Sequence, residues 1–227
     1  MGARAEARAA LTEEIKATAR QHVAAEGAAA LSLRAVAREL GMVSSAIYRY
    51  FPSRDDLLTA LIIDAYDSIG RAAGAALRVK GSFEKRWLAM AGAIRSWALT
   101  NPHDFALIYG TPVTGYVAPT DTVAPAQRAA FAALTLVVEA VIAGEVVPST
   151  GLSIPRAVRS DLTDVRHLAA PGVPDEVLVR TLVAWTQLFG HISFELFGQL
   201  ENVIHDRDAF FEVTTRQTAA YVLRGAA

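Results

Sequence analysis

The chain has 227 residues, 52% of them hydrophobic, a mean hydropathy of +0.27 and a formal net charge of −1. That length and apolar content suffice for one large domain or two small ones with a substantial core. The near-neutral charge excludes a nonspecific polycation, and the absence of cysteine excludes disulfides, thiolate nucleophiles and cysteine metal sites.

The most apolar run, AAFAALTLVVEAVIAG, carries Thr135 and Glu139 and is expected to be a buried helix, not a membrane span. The N-terminal MGARAEARAALTEEIK alternates charge with alanine and lacks a signal core. A soluble cytoplasmic protein is expected. Residues 1–58 hold eight Arg/Lys against seven Asp/Glu, so any nucleic-acid binding must come from a local patch.

Helical punctuation runs through the chain. Leu11, Ile15, Ala19 and Val23 recur every four residues and stop before Gly27. Ser32 is a good N-cap for a short second helix with the stripe Leu33, Val36, Ala37 and Leu40, and Gly41 suits its left-handed end. A third short helix is expected over Val43–Phe51, broken by Pro52-Ser53. Ser53 with Asp56 reads as an acidic variant of the capping box, opening a long fourth helix that runs to Lys80-Gly81. Ser82 opens a fifth helix ending at Asn101-Pro102, and a short one follows around HDFALIY. GTPVTGYVAPTDTVAP is a loop. Further helices are expected from Pro125 to about Gly144, weakly over 155–168, from Pro174 through VLVRTLVAWTQLFGHISFELFGQL, and from Asp206 to Leu223, with a loop at 145–154. No strand alternation is evident. The expected class is all-α: a helix-turn-helix unit over residues 1–56 and a helical ligand-binding and dimerisation domain over 57–227, joined within the fourth helix.

A glycine-containing turn between two short helices is the pattern of a helix-turn-helix. At about 100° per residue, Val43, Ile47, Tyr50 and Phe51 share one face, read as the packed one. Ser45 and Arg49 fall opposite, with Tyr48 to one side. A guanidinium can pair bidentately with guanine, and hydroxyls suit phosphates or base edges. Arg54, in the first turn of the fourth helix, is placed to hold a phosphate. Taken alone, this short helix reads equally well as a core helix with a solvated edge. The order of capped helix, glycine turn, aromatic helix, Pro-Ser break and acidic-leucine helix is more specific.

SLRAVARELGMVSSAIYRYFPSRDDLL resembles the DNA-binding domain of TetR-family transcriptional repressors, over about residues 9–60. The resemblance implies a homodimer whose C-terminal helices bind a small apolar or amphipathic effector. It implies that Ser32 occupies a phosphate-binding N-cap position and that Arg34 reaches a base edge. Tyr48 and Tyr50 match the family's aromatic pair, and Arg54 matches its phosphate-holding lysine. Val43 stands where the family usually has a capping serine, so the cap is expected to fall to Ser44, the better candidate, or to an earlier start with a tightened turn. AWTQLFGHISFELFG is similar to the WHG-type C-terminal domain through Trp185, Gly190 and Glu195, with Phe189 before the glycine and His191 after it.

Among the C-terminal aromatics, Trp97, Tyr109, Trp185 and Phe189 are chosen as effector-pocket candidates, since the family resembled needs a pocket. Each alone reads as ordinary core. Arg180, Gln187, His191 and Glu195 form a polar stripe on the long apolar helix. His191 and Glu195, four residues apart, can hydrogen-bond; they read as a polar anchor in the pocket or a pH-sensitive contact, or, in the favoured reading, as a satisfied pair at the dimer interface. No nucleophile elbow, phosphate-binding glycine loop or zinc helix motif occurs, so neither cofactor nor metal is expected. The apolar load of residues 126–143 and 174–200 fits a two-fold bundle of the last two long helices.

The expected function is a ligand-responsive repressor that binds a palindromic operator as a dimer and is released by an effector. The alternatives are a small-molecule-binding helical protein with a degenerate DNA-binding unit, and an all-α enzyme, for which no catalytic constellation is present.

Overall fold

The computed structural model describes residues 2–147 and 152–225. Among these residues there are ten α-helices and no strand. They run α1 Ala3–Glu26, α2 Leu33–Glu39, α3 Ser44–Ile47, α4 Arg54–Ala75, α5 Phe83–Thr100, α6 Pro102–Tyr109, α7 Val123–Ile142, α8 Arg156–Ala169, α9 Asp175–Leu196 and α10 Arg207–Arg224. The expected loop at 145–154 falls partly on residues outside those described. The packing divides the chain within α4, after Asp67. One compact unit holds residues 1–67 and 101–125, and the other holds 68–100 and 126–227.

The first unit is built on the stripes read from the sequence. Ile15, Ala19 and Val23 of α1 meet Val36 and Ala37 of α2, Ile47 of α3 and Leu57, Leu58 and Leu61 of α4 in one buried cluster. Each fully buried Leu or Ile contributes about 1.5–3 kcal/mol of transfer free energy. The caps also form. The Ser32 hydroxyl accepts from the Ala35 N–H at 3.4 Å. The Met42 N–H reaches back to the Ala37 carbonyl at 2.8 Å, with Gly41 at φ 66° supplying the left-handed residue of a Schellman ending. The Ser53 Oγ accepts from the Asp56 N–H at 3.1 Å and its hydroxyl donates to the Asp56 carboxylate at 2.6 Å.

Charge ties α1 to α4 in the same unit. The Lys16 ammonium meets Asp64 at 2.8 Å and Glu13 at 2.7 Å, and Arg20 also pairs with Asp64. Burial alone would lower the Lys16 pKa, but hydrogen bonds to Asp64 and Glu13 outweigh it and the ammonium is held above its usual range. Residues 101–125 extend this unit: Leu107, Ile108, Val113 and Tyr116 pack on its core, and the Tyr116 hydroxyl meets the Thr59 hydroxyl at 2.9 Å.

In the second unit α10 packs along α5 and α9. Trp87 stacks on Phe83 at 5.4 Å and donates its indole N–H to Thr218 at 3.2 Å. Gly70 is needed where α4 passes α7, because a Cβ there would lie 2.7 Å from the Arg128 Cβ. The segment 120–142 is long and apolar enough, by length and composition, to cross a membrane. Within the unit, however, α7 buries Ala129, Ala132, Ala133, Leu136, Val137 and Ala140. Helix α8 buries only Leu162 and is moored by Arg159 and Arg166 to Asp175 at the start of α9.

The polar stripe of α9 is divided: Arg180 and Glu195 are buried, His191 is half-buried and Gln187 is exposed. Arg180 is buried and donates to the carbonyls of Glu176 and Val147. Glu195 does not pair with His191. It is buried and accepts two bonds from the Arg95 guanidinium of α5, at 2.6 and 2.7 Å, while Arg95 also bonds Asp208 of α10 at 2.7 Å. The i, i+4 spacing offered a local partner, but a bidentate guanidinium satisfies a buried carboxylate better. Both side chains are largely buried, and Arg95 is the cation that pairs with Glu195, so removing Arg95 strands the carboxylate. Arg95→Met should cost about 3–5 kcal/mol in urea unfolding, whereas Arg95→Met/Glu195→Leu should recover most of that loss. Equal destabilisation of the single and double variants would refute this account.

Candidate nucleic-acid interface

Helix α3 has only four helical residues, continued by a turn through Tyr50. Its inner side is Ile47 and Phe51, both buried, with Tyr50 half-buried against the same core. The outer side presents Ser44, Ser45, Tyr48 and Arg49, all exposed, with Tyr48 at 43%. Arg34 on α2 is exposed as well. Ser32 is half-buried, with its hydroxyl engaged in the cap. A short helix thus carries a hydroxyl pair, a phenol and a guanidinium outward over an apolar base, the arrangement a major-groove reader requires.

Two expectations about this stretch need correction. Val43 does not pack beside Ile47; it is 73% exposed. It is the N-cap residue, in extended backbone at ψ 134°, so the helical phase that placed it on the inner face had not yet begun. Ser44 is not the cap either. It lies inside the first turn, and no side chain caps α3. The third difference concerns Arg54, whose guanidinium turns onto the carbonyls of Ala28 and Ala29, at 2.8 and 3.2 Å, and onto Asp55 at 3.1 Å. In this arrangement it pins the turn between α1 and α2.

Comparison with known proteins follows the same outline. Residues 15–61 match the model for bacterial regulatory proteins of the tetR family, and residues 87–218 match the tetracyclin repressor-like C-terminal domain. The chain belongs to the TetR family. It is 39% identical over 226 residues to the HTH-type transcriptional regulator Rv1816 of Mycobacterium tuberculosis (strain H37Rv), covering 97% of this chain and 95% of that one. The regulator Mb1846 of Mycobacterium bovis gives the same figures. The crystal structure of the regulatory protein SCO4313 is 35% identical, with a TM-score of 0.77 over 96% of this chain and 98% of that one. A protein from Rhodococcus sp. RHA1 shares the fold at 23% identity and TM-score 0.71, covering 94% and 95%. This TetR-family chain is therefore a DNA-binding transcriptional regulator, with the outer face of α3 on its helix-turn-helix.

The four effector candidates do not fall in one unit. Tyr109 belongs to the first, where it packs on Phe105 at 5.2 Å and edge-on to Tyr66 at 6.1 Å. Burial, reinforced by Tyr66, pushes its phenol well above the ordinary range. Trp97, Trp185 and Phe189 belong to the second. Trp97 donates to the Ser68 hydroxyl at 2.9 Å, and the Trp185 and Phe189 rings meet at a tilt with centroids 4.7 Å apart. A polar groove of about 950 Å³ at the other end of α9 is lined by Arg95, Glu195, Glu201, His205 and Arg207, among others. Arg95 was missed in the sequence; its signal was a lone cation inside the apolar run AMAGAIRSWAL.

His191 packs against the rings of Phe210, tilted at 5.1 Å, and Phe211, edge-on at 5.2 Å. Its Nδ1 meets the Thr214 hydroxyl at 3.2 Å, while its buried Nε2 has no partner. Burial lowers its pKa below 6.5 and the charge of Arg95 adds to this, with Glu195 opposing. The folded state therefore resists a proton that the unfolded state accepts below about pH 6.5, so this residue subtracts stability as pH falls through that value. His191→Gln should flatten the drop in Tm on acidification below about pH 6.5. An unchanged pH slope in calorimetry would count against this.

Proposed function

We propose that the protein is a ligand-responsive repressor that binds a roughly palindromic operator as a homodimer and is released by a small apolar or amphipathic effector. The observation that carries the DNA side of this reading is the exposed cluster of Ser45, Tyr48 and Arg49 above the buried Ile47 and Phe51. Arg49 and Arg34 read base edges, while Ser44, Ser45, Tyr48 and Tyr50 grip or position the backbone. Arg54 serves by fixing the turn under Ser32. The relatives named above are transcriptional regulators, which favours this reading over an enzyme, and its site of action is the cytoplasm.

The dimer is assigned to the outer faces of α9 and α10. Leu182, Val183, Phe194, Phe197 and Val213 are exposed there, Phe194 at 55%, in company with exposed Gly190, Ala209 and Ala220. Apolar side chains interleaved with small residues let two copies of a helix pair approach closely, in an isologous interface. Two recognition helices would then meet half-sites about 34–36 Å apart or a multiple of that. For release, the effector must bind the non-DNA-binding state more tightly than the other. Residues of both units lie along the one continuous helix α4, which makes it the lever in this reading.

DNA upstream of the protein's own gene is the substrate for the test. In anisotropy titrations Arg49→Ala and Arg34→Ala should each weaken specific binding by about 1–3 kcal/mol and relax base preference. Unchanged affinity and specificity in both would reject these faces as readers. Phe194→Asp should shift the mass measured by light scattering from dimer to monomer and weaken operator binding with it; a dimer that persists would move the interface elsewhere.

A further inference from the structure

A second cationic surface lies beside α3. A cleft of about 410 Å³ opens between the first turns of α1 and the end of α3, lined by Arg4, Ala7, Arg8, Leu11, Arg49 and Tyr50. Three of its six lining residues are arginines and none is acidic. At about 100° per residue Arg4 and Arg8 share one face of α1, and Glu6 points away from it. Arg8 is held in place: it donates to the Arg49 carbonyl at 3.2 Å and its guanidinium lies 5.8 Å from the centre of the Tyr50 ring. Its remaining N–H donors are left for something else. Among the described residues, no carboxylate pairs with Arg4, Arg8 or Arg49. Three guanidiniums without a carboxylate around one cleft repel one another, and a polyanion in the cleft relieves that repulsion.

We propose that this cleft is a phosphate clamp: Arg4 and Arg8 grip the DNA sugar-phosphate backbone flanking the half-site that α3 reads. The proposal rests on the DNA-binding reading above and extends it to α1. Charge complementarity identifies the occupant, and continuity identifies its place, because Arg49 lines the cleft and belongs to the outer face of α3. Arg8 acts twice, as a phosphate donor and as the group that fixes the last turn after α3 through the Arg49 carbonyl. Such a clamp adds affinity and orientation without base preference.

Fluorescence anisotropy with two duplexes tests it, one of random sequence and one from the DNA upstream of the protein's gene, across a KCl series. Arg4→Ala/Arg8→Ala should weaken binding to both duplexes by a similar factor, roughly tenfold at ~0.1 M salt. The slope of log K against log salt concentration should flatten by about 0.9 for each phosphate that the variant no longer neutralises. Arg4→Lys/Arg8→Lys should keep most of the slope. Because Arg8 also supports α3, Arg4→Ala alone is the cleaner variant, and it should flatten the slope at unchanged Tm. If the wild-type protein binds with salt dependence and these variants keep its slope, the clamp is refuted while the DNA reading stands. Loss confined to the upstream duplex at constant slope would instead mean base readout, and also refute it. If the wild-type protein binds neither duplex, both readings fall together.

Discussion

The burial of Ile47 and Phe51 is the constraint on which the DNA-facing surface depends. Helix α3 spans four residues and has no side-chain cap. A helix that short has no stability of its own, since isolated helices below about 12–15 residues are marginal even in favourable sequences. What holds its geometry is tertiary. Ile47 is fully buried among residues of α1, α2 and α4, and Phe51 closes the turn that follows. The rigid outer face is therefore a consequence of the inner one. Arg8 and Arg54 reinforce it from outside the helix, the first through the Arg49 carbonyl and the second by fixing the turn that leads into α2.

The second unit has a comparable anchor of opposite chemistry. Arg95 joins α5 to α9 through Glu195 and to α10 through Asp208. Apolar residues of the same volume in place of Arg95 and Glu195 would be about as stable, because two desolvated charges repay little beyond their own burial cost. What the ion pair does instead is exclude alternatives. The carboxylate of Glu195 is satisfied only when α5 and α9 stand in one register, so a slip of α9 by a turn strands a charge. His191, one turn before Glu195, packs against Phe210 and Phe211 beside this anchor, and burial lowers its pKa although the Glu195 carboxylate opposes the shift.

Much of the fold was legible in the sequence, because its signals are local. Ser32, Gly41, Ser53 and Asp206 mark helix ends through contacts within three to five residues, and each behaves as that chemistry requires. Buried stripes such as Ile15, Ala19 and Val23 repeat with the helical period. Local rules fail beyond their range. Helical phase does not reach Val43, because the helix begins at Ser44. The i, i+4 spacing of His191 and Glu195 suggests a pair, whereas the partner of Glu195 is Arg95, 100 residues away. Residue type alone groups Tyr109 with Trp97, Trp185 and Phe189, and no pattern in the chain says that α6 folds with the first unit.

Arginine shows most clearly how far residue type can carry a functional assignment. Arg54, Arg95 and Arg180 all turn inward, onto carbonyls or carboxylates of the fold. Arg34 and Arg49 remain outward. A guanidinium recognises a carbonyl, a carboxylate and a phosphate through the same N–H fork, so its identity cannot distinguish a structural clip from a ligand contact. The distinction comes from what surrounds it. Ala28 and Ala29 offer Arg54 two carbonyls at the end of a tight turn, acceptors already held at a fixed distance. Where the neighbourhood supplies no such acceptor, as around the outer face of α3, the donors keep their capacity for a partner outside the chain.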